Sequence, residues 1–82
     1  MNFNPIKSIS ANEDKGCIEL YSNQRMIVTD CKCVVDYSDE CIVVNIGKLN
    51  VKVSGCDLIV SSFAFGQTDI TGNIISVEFE KA

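Results

Sequence analysis

In the segment 48–55, KLNVKVSG, Leu49, Val51 and Val53 alternate with Lys48, Asn50, Lys52 and Ser54. An extended strand satisfies this two-residue period by sending one set of side chains to a core and the other to water. The period returns near the carboxyl end, where Ile75, Val77 and Phe79 interleave with Ser76, Glu78 and Glu80. From Cys17 to Phe79 the chain is a succession of short apolar segments broken by polar turn residues, and no part of it sustains a 3.6-residue apolar period. This pattern predicts strands at 18–22, 25–30, 31–37, 41–46, 48–54, 58–63, 68–71 and 74–80, with the second and third open to being one bent strand.

Turn-forming residues fall between these segments: Ser22 to Gln24, Ser38 and Asp39, Gly47, Gly55 to Asp57, Gly66 and Gln67, then Gly72 and Asn73. Parallel neighbours need a crossover of about a dozen residues or more, so connections this short predict antiparallel pairing. The expected fold is all-β, a small antiparallel meander of about seven to eight short strands folded over as a sandwich or roll. A weak internal repeat, in which IVTD, VKVSG and DITG close successive segments, leaves a short β-solenoid as the alternative. Hairpins are favoured, because so short a solenoid needs capped ends to stay soluble. Residues 1–16, polar and carrying Pro5 and Gly16, read as a flexible amino-terminal arm, and 17–82 as a single all-β domain.

Composition narrows the function. The net charge is −4, and the seven Lys and Arg are dispersed along the chain, which disfavours nucleic acid, whose phosphates call for a concentrated basic surface. No apolar run reaches the length of a membrane span, and the polar start is unlike a secretory signal, so the expectation is a soluble chain that stays in the cytoplasm. Five cysteines are an odd number for a disulfide scheme, and a reducing compartment opposes one. Cys31 and Cys33 would share one face of a strand, which makes them the core of a metal or thiol alternative, but the usual zinc spacings and His are both missing. Small buried thiols are the favoured reading, with no cofactor expected.

Catalysis finds little support in the inventory. Without His there is no Ser/His or Cys/His pair and no commonest general base. Asp36, Asp39, Glu40, Asp57, Asp69, Glu78 and Glu80 fall mostly at expected turns or on polar strand faces, where solvation is the ordinary role. The glycines are isolated and followed by strands rather than a helix, unlike a phosphate loop. The chain therefore reads as a non-enzyme without a small-molecule substrate.

The ordered set IELYSNQRMIVTDC, VVDYSDECIVV, GKLNVKVSGCDLIV and ITGNIISVEFE resembles the YabP/YqfC family of sporulation proteins, and the YqfC branch more closely, over about Cys17 to Glu80. The family pattern puts Tyr37 and Asp39 at the hairpin after the third strand, Gly55 and Leu58 at the turn into the sixth, and Gly72 and Ile74 at the turn into the last. These positions look like fold determinants, with Gly47, Gly55 and Gly72 as structural turns and Tyr37 and Leu58 as core anchors. The arm and the Gly47 turn look shorter than in many relatives. The resemblance implies a non-enzymatic factor of the mother cell that helps build the spore's protective layers. Relatives are commonly linked to a membrane-embedded sporulation protein, so any membrane association would come through such a partner or through the chain's own surface.

Three function classes follow. One is a β-module that docks on such a protein or self-assembles as a homo-oligomer, through an exposed sheet edge or through SSFAF, where Phe63 and Phe65 are expected on one strand face. Plain core is the competing reading for both Phe residues. The others are the Cys31 and Cys33 module and a small ligand-binding β-barrel, for which no convergent polar cluster is evident.

Overall fold

The computed structural model describes residues 16–82. Within them lie six strands and no helix: β1 (Cys17–Tyr21), β2 (Arg25–Thr29), β3 (Cys33–Tyr37), β4 (Cys41–Asn45), β5 (Leu49–Ala64) and β6 (Gln67–Lys81). They form one sheet in the order β1-β2-β6-β5-β4-β3, with every neighbouring pair antiparallel. The all-β antiparallel class is the one the alternation predicts, and the antiparallel pairing removes the solenoid alternative. Residues 1–15 of the expected arm lie outside the described residues.

Two strand divisions differ from the sequence reading. Segments 48–54 and 58–63 are a single strand, β5, and 68–71 and 74–80 are a single strand, β6. Gly55 and Gly72, expected at turns, sit inside these long strands, where the register shifts between Ser54 and Gly55 and again between Cys56 and Ile59. A bulge bends a strand without ending it, which a glycine in the sequence does not distinguish from a turn. Segments 25–30 and 31–37, in contrast, are not one bent strand. Asp30 at φ 60° breaks them, and the backbone N–H groups of Cys31 and Lys32 turn away to Gly66 O and Asn45 O, at 2.9 and 2.7 Å.

The bend at the middle of β5 and β6 folds the sheet into two facing halves. The first half of β5 pairs with β4 and carries β3 beyond it, while the first half of β6 pairs with β2 and carries β1. β2 and β4 are separated in the sheet by β6 and β5, yet Met26 and Val28 of β2 share one core with Ile42 and Val44 of β4. Only a sheet doubled back on itself brings them together, and the result is the expected sandwich-like roll. The register predicts which side chains meet: Val28 opposes Thr68, Met26 opposes Ile70, Ile42 opposes Val53 and Val44 opposes Val51, and all eight are fully buried.

The two halves are related by an approximate two-fold exchange, which gives the internal repeat its structural meaning. The β1–β2 loop reaches the β6 bend, where Gly72 N donates to Gln24 O at 3.1 Å and Ile74 N to Asn23 O at 2.7 Å. Correspondingly the β3–β4 loop reaches the β5 bend, where Gly55 N donates to Glu40 O at 3.0 Å and Leu58 N to Asp39 O at 2.9 Å. The recurring Gly of VKVSG and DITG thus marks the place where each long strand opens its backbone to a hairpin tip.

Candidate interaction surface

Core and surface sort the expected residues unequally. Leu58, at 1% exposure, is a core anchor, as its large apolar side chain leads one to expect. Tyr37 is not: it lies on the core-facing side, opposite Ile42, but at the end of edge strand β3, and remains 55% exposed. A side chain facing inward from an edge has a neighbour on one flank only, so facing and burial part company there. Gly47 does occupy a turn between β4 and β5, at φ 108° with open space around it, and its N–H is held by the Asn45 side chain at 3.0 Å.

The cysteines disagree with the buried-thiol reading. Cys17, Cys33 and Cys56 are exposed, Cys41 is half-buried, and only Cys31 is buried. Nor do Cys31 and Cys33 share a strand face, because Cys31 lies in the link before β3 and turns into the core. Its Sγ donates to Gly66 O at 3.1 Å and accepts from the fully buried Thr68 hydroxyl at 2.8 Å. This chain of bonds satisfies the one buried polar side chain on the core face and ties the β2–β3 link to the β5–β6 turn. Among the described residues no group of three or more Cys, Asp or Glu is placed to hold a metal ion. Replacing Cys31 by Ala is expected to cost about 1–2 kcal/mol, from lost packing and an orphaned hydroxyl. Cys33→Ala should stay within about 0.5 kcal/mol, a contrast that urea midpoints of the two variants would read.

One ion pair organises the outer face. Arg25 grips Asp69 with two bonds, Nε to Oδ1 at 3.1 Å and Nη2 to Oδ2 at 2.7 Å, and its guanidinium stands 5.5 Å from the centre of the Tyr21 ring. The hydrogen bonds from Arg25 hold the Asp69 carboxyl below its ordinary value, and the Arg25 value is raised for the same reason. Asp69 is therefore a partnered carboxylate, not the freely solvated one that its position in the sequence suggests. β2 and β6 bring the pair together, so a separation of 44 residues hides it.

Apolar exposure is the most distinctive property of the surface. Among the described residues ten large apolar side chains are exposed, including Ile59 at 54%, Phe63 at 48%, Phe65 at 105% and Ile75 at 68%. Scattered apolar side chains are ordinary on a surface, but Phe63 and Phe65 stand together at the end of the β5–β6 hairpin. The plain-core reading of Phe63 and Phe65 does not hold. They also do not share a strand face, since Phe63 is on β5 opposite Thr68 and Phe65 is in the β5–β6 turn. Ile59 was not singled out by sequence reasoning, and Ile75, expected in the apolar row with Val77 and Phe79, is 68% exposed while Ile74 is buried, because the register shift beside it turns it outward, which periodicity does not reveal.

Phe65 is held at an unusual backbone angle. Phe65 and Gly66 are the two central residues of the turn that joins Ala64 to Gln67, at φ 55° and 73°. Positive φ at both positions is the geometry that favours Asn-Gly, and a bulky aromatic is strained in the first of them. Because Phe65 contributes no burial, Phe65→Asn is expected to stabilise the domain by about 1 kcal/mol. A rise in the thermal midpoint would check it. That the chain keeps a strained and fully exposed aromatic here fits a contact role for Phe65.

Among the described residues no helix is long and apolar enough to cross a membrane. No family model, no curated protein and no solved structure matches this chain.

Proposed function

We propose that this chain is a non-enzymatic interaction module of sporulation, acting in the mother-cell cytoplasm in the formation of the spore's protective layers by docking on another sporulation protein, a membrane-embedded one included. The sporulation setting rests on the resemblance carried by the four ordered segments between Cys17 and Glu80. The docking role rests on one observation, the exposed Phe63 and Phe65 at the end of the β5–β6 hairpin, aromatic side chains that stand in solvent instead of filling the core. An aromatic fixed by a tight turn loses little side-chain freedom on binding, which suits a contact residue.

The alternatives have less to build on. A thiol module would need Cys31 reachable, but its sulfur is engaged with Gly66 and Thr68 in the core. A ligand-binding barrel would need a lined cavity where the two sheet halves meet, and there Met26, Ile42, Leu58 and Ile70 fill the space.

Deletion of the gene in a spore-forming host that lacks a second family copy is expected to impair spore maturation. Complementation by chains with Asp36→Asn, Asp39→Asn, Glu40→Gln or Asp57→Asn is expected to restore it, since a docking module spends none of these carboxylates on catalysis. Phe63→Ser together with Phe65→Asn should fold and fail to complement. Normal spores from the deletion strain would overturn the sporulation role, and full complementation by the double Phe variant would overturn the assigned surface.

A further inference from the structure

The folded-over sheet has four strand segments with no neighbour on one side among the described residues: β1, β3, the second half of β6 and the second half of β5. Three of them are guarded by charge. β1 carries Glu19, β3 carries Asp36, and the end of β6 carries Glu78, Glu80 and Lys81. Charged residues on an edge are the usual protection against strand-to-strand pairing. The segment 58–64 of β5, LIVSSFA, has none, and the turn that follows it adds only Phe65, Gly66 and Gln67. It is rich in β-branched and aromatic residues, lacks Pro, and exposes Ile59 and Phe63 on opposite faces.

Charge decides what can lie against this edge. The chain carries a net charge of −4, so a second copy meets repulsion wherever carboxylates line the contact. An antiparallel pairing of 59–64 with the same segment of another molecule sets no carboxylate of the strand against another. It also places Ser61 and Ser62 near a two-fold axis with Ile59 and Phe63 on either side. The register shift between Val60 and Ser62 keeps the pairing short, and an isologous contact closes on itself instead of growing into a fibre.

We infer that the chain forms a two-fold homodimer by antiparallel pairing of the free β5 edge at 59–64, just past Leu58, whose own N–H is taken by Asp39 O. This deepens the docking reading and rests on it in one respect only, that the end of the β5–β6 hairpin is a contact region. The dimer joins the two central hairpins into one continuous sheet, and the two exposed Phe65 turns then project from a single assembly.

Sedimentation of the purified full chain over a concentration series tests it. The expected result is a species of twice the 9.0 kDa chain mass, with amide exchange at 59–64 slowing as concentration rises. Ile59→Lys, on an exposed position of the edge, should sediment as a folded monomer with an unchanged far-ultraviolet spectrum. Ile75→Lys, equally exposed but on β6, should remain a dimer. A wild-type chain monomeric at every concentration overturns the inference, as does an Ile59→Lys chain that stays dimeric or an Ile75→Lys chain that separates. Should Ile59→Lys prove unfolded, Ser62→Lys on the same edge supplies the folded comparison with the same expectation. Complementation with the monomeric variant keeps the two readings apart: a monomer that still restores spores leaves docking standing without self-pairing.

Discussion

Gly72→Val is expected to abolish cooperative folding or to leave a domain with only a small fraction of its stability. Gly72 is at φ 136°, where a β-branched residue costs about 1–3 kcal/mol from backbone strain alone. Its added carbon atoms would also meet Asp57 O at 2.5 Å and the Leu58 Cα at 2.9 Å, both backbone atoms that cannot swing aside. Overpacking of that kind costs about 1–3 kcal/mol or more, and a domain this small starts near the low end of the usual range of about 5–15 kcal/mol. Gly55→Val should be comparably severe for a different reason. Gly55 is not at positive φ, but a Cβ there would overlap the Asn73 carbonyl of the neighbouring strand. Gly47→Ala is the control, at φ 108° with nothing nearby, and should cost about 1 kcal/mol. Urea midpoints should therefore rank Gly47→Ala well above the other two. Equal loss at all three positions would show that the bends do not need the close backbone approach described.

Leu58→Ala should cost about 2–5 kcal/mol, the range for emptying a fully buried leucine site, and Tyr37→Ala no more than about 1 kcal/mol, as for a half-exposed side chain. Leu58 fills the corner where β5 bends, beside Ile74 of β6, and its own N–H is held by Asp39 O. The surrounding atoms belong to both sheet halves and cannot close over a cavity without moving one half against the other. A fall in the urea midpoint with an unchanged slope would report loss of stability alone. If Tyr37→Ala proved as damaging as Leu58→Ala, the exposure of the β3 edge would be misjudged.

These two contrasts show where the sequence could be read and where it could not. Leu58 and Tyr37 look alike in the chain, each a large side chain beside a turn signal, and what separates them is strand position within the sheet. Gly47, Gly55 and Gly72 also look alike, yet one turns the chain and two bend it in mid-strand. A glycine announces that the backbone needs room, not whether a partner strand continues past it. Phe63 and Phe65 were legible as candidate contacts because SSFAF sets two aromatics two residues apart at the end of a segment, but the turn position of Phe65 depended on the register of β5 against β6. Ile59 left no trace in the periodicity, since the bulge that turns it outward is a property of the pairing.

Strand content, antiparallel pairing and the residues able to form a core could all be read from the order of residues. Two-residue alternation and short connections act between chain neighbours, so they are written directly in the order of residues. The tertiary structure decided the strand count, the doubling of the sheet and the identity of its free edges. It also decided that Cys31 lies inside while Cys33, separated from it by one residue, lies outside. Each of these depends on which distant backbone groups satisfy one another at Gly55 and Gly72, a choice made by hydrogen bonds to the tips at Glu40 and Gln24 that no local pattern encodes.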